Sequence, residues 1–390
     1  MKILTSLITA IVTIFHPAGV DLNTLSAAYR SSQYCLSDYR AQHRIDQLLP
    51  EYSRECDANP QFLGNIDDPE LYTFAGERYL EGKSPASLNW ESQPLTKYFF
   101  GFSLYLFGNV MFAQYALALA SLYLLCVLSR RVLSPMFALI PSLLLMVDPL
   151  FIDQLRHSYL DLSLTFWVLL WLLYLGSKNR DKLWWVGGVV LGALALSKSF
   201  SFGILAATVG LIVAPYGYLK AILVSIFTYF AGYTMFFVAG HTPLDFLTLH
   251  VNTLWLYRSY VPEYPKGEIF RIIATGQWRT WWGDKGLVPS PFYTPLWTIG
   301  LVSALYLALC HQVRQHHLLI LHLVWVFLVL GFISLRLVFP RYLLPLLPSL
   351  YLLLVVGVKY AIDELRFMFA DTEAKIKTKI KNHFCESRTN

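Results

Sequence analysis

Charge is what this chain has least of. Asp, Glu, Lys and Arg supply 14% of its 390 residues, where a soluble domain carries about 25%. Hydrophobic residues supply 56%, so too few charges remain to clothe the surface of a water-soluble globule. Metal-binding spacings are missing as well. The five cysteines form no CxxC, and no HExxH occurs, so the usual structural and catalytic zinc patterns are not encoded. No internal repeat and no low-complexity tract is visible. What charge there is leaves a formal balance of +6. The basic residues lie mostly in short loops between apolar runs and in the tail, where membrane orientation accounts for them and nucleic acid is not expected as a partner.

What the chain does have is apolar runs. A bilayer core asks for about 20 mostly apolar residues per helix. On that ruler spans fall near 3–19, 109–129, 133–150, 158–176, 184–197, 201–217, 221–239, 295–311, 318–335 and 343–359. This predicts an all-α, polytopic integral membrane protein of roughly ten transmembrane helices. Tyr98 to Phe107 is too short to span and fits a helix lying in the interface. Gly188 and Gly192 form a GxxxG that predicts close helix packing. The short segments 184–197 and 201–217 are expected to form a tight hairpin.

Lysine and arginine set the orientation. Arg130 and Arg131, Lys178 to Lys182, Lys220, Arg314 and the tail from Lys359 go to the cytoplasm. The organisation expected is then a signal anchor or first transmembrane helix at 1–20, followed by an external loop with juxtamembrane helices at 21–108. A transmembrane core at 109–239 leads to an aromatic-rich second external loop at 240–293. Transmembrane helices at 294–359 and a cytoplasmic basic tail at 360–390 complete the chain. Cys35 and Cys56 share the first external loop, either as a disulfide or as free thiols.

That parity places four charged features on one external face. The acidic run Asp67, Asp68, Glu70, with Tyr72 just beyond, lies ahead of an aromatic-apolar helix, and Asp68 is expected at or near its N-cap. A carboxylate there can accept a hydroxyl proton. A solvated acidic loop is the plainer alternative. Asp161 enters an apolar helix with no polar flank, either lining a site or capping the helix. Arg156 either meets a phosphate or pairs with Asp153. Lys198 emerges from an apolar helix, as a phosphate-binding point charge or as a snorkelling lysine. Arg336 and Arg341 bracket the last external turn and suit a bidentate phosphate clamp. In the second loop, the run from Trp278 to Trp281 and Trp282 is the piece best suited to fold over a sugar or lipid tail. Interfacial belts account for the other aromatic residues there.

Several short stretches resemble the GT-C membrane glycosyltransferases, most nearly the dolichyl-phosphate-mannose-protein mannosyltransferases and their bacterial relatives. They are Asp68-x-x-x-Tyr72, Gln93-Pro94-Leu95 leading to Leu104–Gly108, Tyr159-Leu160-Asp161, Leu196-Ser197-Lys198 and Pro340-Arg341-Tyr342-Leu343-Leu344-Pro345. The resemblance implies inverting transfer of mannose or a related hexose from a polyprenyl-phosphate donor lipid to a protein, glycan or lipid hydroxyl. Asp68 would be the base and Lys198, with Arg341 or Arg156, would receive the phosphate. Asp161 and Glu70 would position the acceptor or a metal, and Tyr72, Trp281 and Trp282 would stack on sugar or lipid. A divalent cation is optional, since no DxD is present. The site would face the exterior of a prokaryotic plasma membrane or the lumen of a eukaryotic endoplasmic reticulum. Two departures stand out. Asp67 precedes Asp68 where relatives carry Glu after the Asp, so either Asp can be the base. Ser92-Gln93-Pro94 replaces the His-Pro-Pro or Lys-Pro-Pro of many relatives, which implies altered acceptor recognition. No soluble domain follows the last span, which implies a minimal enzyme. The competing reading is a non-catalytic transporter or flippase of lipid-linked sugars, which would show paired halves with interrupted helices.

Overall fold

The computed structural model describes residues 67–214, 218–259, 265–280, 286–311, 313 and 316–386. The expected span at 3–19, the Cys35 and Cys56 pair, Trp281 and Trp282 lie outside the described residues. Within them the chain forms fifteen α-helices and one two-stranded hairpin.

The acidic run opens α1 (Asp68–Leu80). Asp67 is its N-cap and forms a capping box with Glu70. Pro69 sits in the first turn, where a missing N–H costs nothing, and Asp68 and Glu70 face the positive end of the helix dipole. α2 (Leu95–Phe107) crosses α1 at two glycines. A Cβ on Gly76 would lie 2.2 Å from the Lys97 carbonyl oxygen, and one on Gly101 would lie 2.2 Å from that of Gly76. The two backbones touch, and no side chain fits between them. Phe102, Tyr105, Leu106 and Phe107 remain exposed on α2, an apolar face of the kind an interfacial helix presents to lipid.

α3 (Met111–Ser129) is long and apolar enough to cross a membrane. The stretch 133–150, expected as one span, is instead a 3₁₀ turn (Phe137–Leu139), α4 (Ile140–Met146) and α5 (Pro149–Gln154). The break is chemical. Asp148 caps α5 by accepting the Leu150 N–H at 2.8 Å, with Pro149 as the first helical residue. Its other oxygen accepts Trp297 Nε1–H at 2.9 Å and the Tyr351 hydroxyl, so this buried carboxylate ties three distant segments together.

The apolar helices α6 (Asp161–Leu175), α7 (Trp184–Ser197) and α8 (Phe200–Val213) follow, and α7 and α8 form the expected hairpin across Lys198 and Ser199. The span expected at 221–239 is interrupted at Gly232 and Tyr233, giving α9 (Tyr218–Ala231) and α10 (Thr234–Val238). α7 and α9 approach closely at Gly188 and Gly192, where an added Cβ would meet the Ala221 and Ser225 carbonyls at 2.6 and 2.7 Å. The second loop holds α11 (Pro243–Ser259), α12 (Glu268–Thr275) and the antiparallel hairpin β1 (Gln277–Arg279) with β2 (Leu287–Pro289). α13 (Pro295–Leu309) and α14 (His317–Ser334) follow, and α14 is the second helix of membrane-crossing length. A 3₁₀ turn (Pro340–Leu343) precedes α15 (Leu347–Glu386), which runs unbroken through the expected end of the last span at 359.

The largest apolar cluster among the described residues joins α3, α6, α7, α8, α13, α14 and α15, with smaller clusters around Phe246 and around Phe100. Outward positions are apolar too, among them Leu119, Tyr123, Phe227, Val302 and Leu309. A helix apolar all round belongs in a hydrocarbon solvent, where its backbone is satisfied internally and its surface needs no charge.

Candidate active site

Four charges separated by up to 273 positions meet at helix ends. Asp68 is the first residue of α1, and Asp161 is the first residue of α6. Lys198 is the C-cap of α7, and Arg341 lies in the 3₁₀ turn before α15. Lys198 Nζ donates to Asp161 Oδ1, and an Arg341 terminal nitrogen donates to Asp68 Oδ2. Arg341 Nε lies 3.9 Å from Asp161 Oδ2, which joins the two pairs into one chain of alternating charge. Asp161 takes this role because Leu160, not Asp161, is the N-cap, so its carboxylate is not spent on the helix end.

Exposure grades across the cluster. The side chain of Asp161 is 2% exposed and that of Asp68 is 25%, so the cluster opens at Asp68. Aromatic rings wall the cations: Lys198 Nζ sits 4.1 Å from the Tyr342 centroid, and the Arg341 guanidinium sits 4.7 Å from Tyr159 and 5.0 Å from Phe339. Such contacts stabilise a partly desolvated cation. Burial, helped by the neighbouring Arg341 charge, pulls the Lys198 ammonium below its ordinary range against the opposing pull of Asp161. Burial also works against the charge on Arg341, yet Asp68, Tyr72 and Asp161 outweigh it and hold that guanidinium charged.

The remaining expected residues scatter. Asp67 and Glu70 are exposed and serve the α1 cap, the Asp67 N–H donating to Glu70 Oε2 at 3.4 Å. Neither joins the ion pairs, and Asp68, expected at or near the N-cap, is the residue directly after it. Arg156 is exposed and takes no part in the cluster's ion pairs, while Asp153 is engaged by His157 at 3.2 Å. Arg336 stacks 4.1 Å over Phe332, whereas Arg341 meets the carboxylates of Asp68 and Asp161. Tyr72 is buried against Phe100, Met111 and Leu160 rather than offering a flat open ring. Burial and the Asp68 charge raise its hydroxyl well above the ordinary range, keeping it a neutral donor beside the cluster.

Three participants escaped the sequence reading. Glu91, in the loop between α1 and α2, accepts from Asn89 Nδ2 at 2.8 Å. Burial raises its carboxyl above the usual range, with Lys97 opposing and Asp68 adding to the rise. Tyr257 of α11 donates to the Glu91 carbonyl at 3.2 Å. The fully buried Lys97 holds that loop by donating to the carbonyls of Asn89 and Ser92, each at 2.7 Å. No motif spacing signals the Tyr257 and Lys97 contacts, because each joins a residue of this loop to a helix folded against it. Trp278 of β1 lies 5.8 Å from Phe339, bringing the hairpin alongside the Arg341 turn.

No protein-family model and no curated protein matches the chain. Solved structures do. ArnT from Cupriavidus metallidurans, solved with undecaprenyl phosphate, superposes at a TM-score of 0.57 over 75% of this chain and 56% of its own, at 15% identity. The chain has the fold of the GT-C membrane glycosyltransferases. A second GT-C structure, the Archaeoglobus fulgidus oligosaccharyltransferase tethered to an acceptor peptide, matches at a TM-score of 0.50 and 14% identity, over 87% of this chain and 50% of its own. The present chain spans about half the length of the GT-C structures it matches.

Proposed function

We propose that this protein transfers a sugar from a polyprenyl-phosphate-linked donor to an acceptor hydroxyl, with inversion, and that Asp68 is the base. The observation that carries the proposal is the linked chain Asp68, Arg341, Asp161, Lys198 on a GT-C fold. Two cations suit a leaving phosphate, and the most open carboxylate suits an incoming hydroxyl. Arg341 Nε is buried without a hydrogen-bond acceptor, a donor that a phosphate oxygen would satisfy.

In this reading the acceptor oxygen bonds to the anomeric carbon as the bond from that carbon to the phosphate oxygen breaks. The hydroxyl proton passes to Asp68, and the bonding pair leaves with the polyprenyl phosphate. As negative charge grows on the phosphate, Lys198 and Arg341 stabilise it, and Arg341 turning toward it releases Asp68 to take the proton. Asp161 orients both cations. Both of its oxygens face cations, and among the described residues no three His, Cys, Asp or Glu are placed to hold a metal. No step is routed through a divalent ion. Mannose or a related hexose is the proposed sugar, and the acceptor is a protein, glycan or lipid on the external or luminal side.

Purified protein given polyprenyl-phosphate sugars and hydroxyl acceptors is expected to release polyprenyl phosphate and yield a product of inverted anomeric configuration. Retention of configuration would rule out the single displacement. Passage of donor lipid across vesicles without transfer would establish the carrier instead.

Because Lys198 is held below the usual lysine range, donor affinity is expected to decline on the alkaline side at a pH where an ordinary lysine, near pKa 10.4, is still charged. The sign follows from the charged form: raising pH removes the proton and with it the attraction for phosphate. Lys198→Arg should shift that decline to higher pH. Binding isotherms for polyprenyl phosphate across pH check it, and identical profiles would remove Lys198 from the phosphate site.

A further inference from the structure

We infer that Gln93 is a positioning residue for Lys198, fixing the donor-phosphate lysine from behind rather than touching the acceptor. This rests on the phosphate role given to Lys198 above. A helix leaves its last carbonyls without intrahelical donors, and α7 ends at Ser197 with Lys198 outside helical geometry, at φ −141 and ψ −51. The loop before α2 and the first turn of α2 supply the missing donors. The Gln93 N–H donates to the Lys198 carbonyl at 3.2 Å, and Thr96 Oγ1 donates to the Ser197 carbonyl at 2.6 Å. Lys198 therefore owes its backbone position to residues about a hundred positions earlier.

Gln93 is itself anchored. The residue is 1% exposed, and the hydroxyls of Tyr229 on α9 and of Tyr233, the N-cap of α10, lie 2.7 and 2.6 Å from its Oε1. Tyr229 also lies 2.6 Å from His250 Nε2, and His250 Nδ1 is 2.8 Å from the Phe246 carbonyl. A carbonyl only accepts, so Nδ1 carries a proton. Burial lowers the imidazole below its usual range and favours the neutral ring, whose Nε2 must then accept the single Tyr229 proton. The network closes if the Gln93 amide turns over, so that its two N–H groups serve both phenol oxygens. With imidazolium at 250, both phenols donate to Oε1 instead. Glutamine fits either state because an amide both donates and accepts. The groups facing His250 are the phenols of Tyr229 and Tyr233, the Phe200 ring of α8 and Phe246 on its own helix. Among these described neighbours, none carries a charge.

The chain of contacts thus runs from α11 through α9 to the loop before α2 and ends on the backbone of Lys198. Burial disfavours the obvious alternative. Gln93 is almost fully buried, with two phenol hydroxyls at its Oε1, and so offers little surface to an acceptor.

The test is direct binding of polyprenyl phosphate to the purified full chain in detergent, referred to the folded fraction. Gln93→Ala is expected to weaken binding about tenfold, the scale of one or two lost hydrogen bonds, with the acceptor KM unchanged in transfer assays. The double variant Tyr229→Phe/Tyr233→Phe, which keeps both rings, should weaken binding by a similar factor and serves where Gln93→Ala does not fold. Gln93→Glu cannot turn over to donate. Its affinity relative to wild type should fall as pH rises and His250 loses its proton. Wild-type affinity in Gln93→Ala and in the double variant, or a rise in acceptor KM with donor binding intact, overturns the inference. Failure of the wild type itself to bind polyprenyl phosphate would instead overturn the phosphate role of Lys198.

Discussion

Replacing Asp68 by asparagine is expected to lower sugar transfer by about 10³-fold, within the range general-base catalysis contributes. Asparagine keeps the size of the side chain and an acceptor oxygen for Arg341, so the donor site should persist. Polyprenyl phosphate affinity should stay within about threefold of wild type, less than one hydrogen bond's difference. Asp67→Asn is the internal comparison. Asp67 caps α1 and is absent from the ion-pair chain, and asparagine caps a helix about as well as aspartate, so both stability and transfer by the folded protein should be largely retained. Single-turnover transfer and donor binding, measured on both variants, separate the roles. Should Asp67→Asn abolish transfer while Asp68→Asn remains active, the base has been assigned to the wrong carboxylate.

Asp161→Asn is expected to destabilise the protein by about 3 kcal/mol, the scale of a broken buried ion pair. Asp161 is almost fully buried and faces Lys198 and Arg341 with separate oxygens. Without its charge two cations remain side by side with Asp68 alone to offset them. The donor phosphate would then supply the missing negative charge. Polyprenyl phosphate should therefore raise the melting temperature of Asp161→Asn more than that of wild type, since ligand stabilisation scales with affinity for the folded state. Thermal unfolding in detergent, with and without the lipid, reads both effects. An unchanged melting temperature in the variant would mean that Asp161 does not hold the cations together. Equal lipid-induced shifts would place the phosphate elsewhere.

Much of this site was legible before any fold was known. The low charge content isolates each ionisable residue, and the alternation of spans assigns Asp68, Asp161, Lys198 and Arg341 to one face. The interrupted segments were harder to read. The stretch 133–150 looks continuous by hydropathy, yet Asp148 spends its carboxylate on a helix cap, an indole and a phenol. Span counting registers apolarity and is blind to such a tie. α15 also continues past 359, since loss of apolarity does not require loss of helix.

The sequence by itself determined the solvent, the helical class and the set of charges available for chemistry, because these depend on composition and on spacing along the chain. Only the tertiary structure decided which of them act together. Asp67 and Asp68 are neighbours in sequence, but the turn of α1 commits one to the helix end and points the other at Arg341. Arg336 and Arg341 flank one turn, but only Arg341 reaches the carboxylates. Gln93 and Lys198 lie far apart in sequence, but packing joins the Gln93 N–H to the Lys198 carbonyl. The physical reason is common to all three. An ion pair or hydrogen bond depends on separations of a few ångströms, and those are set where elements distant in sequence pack against one another.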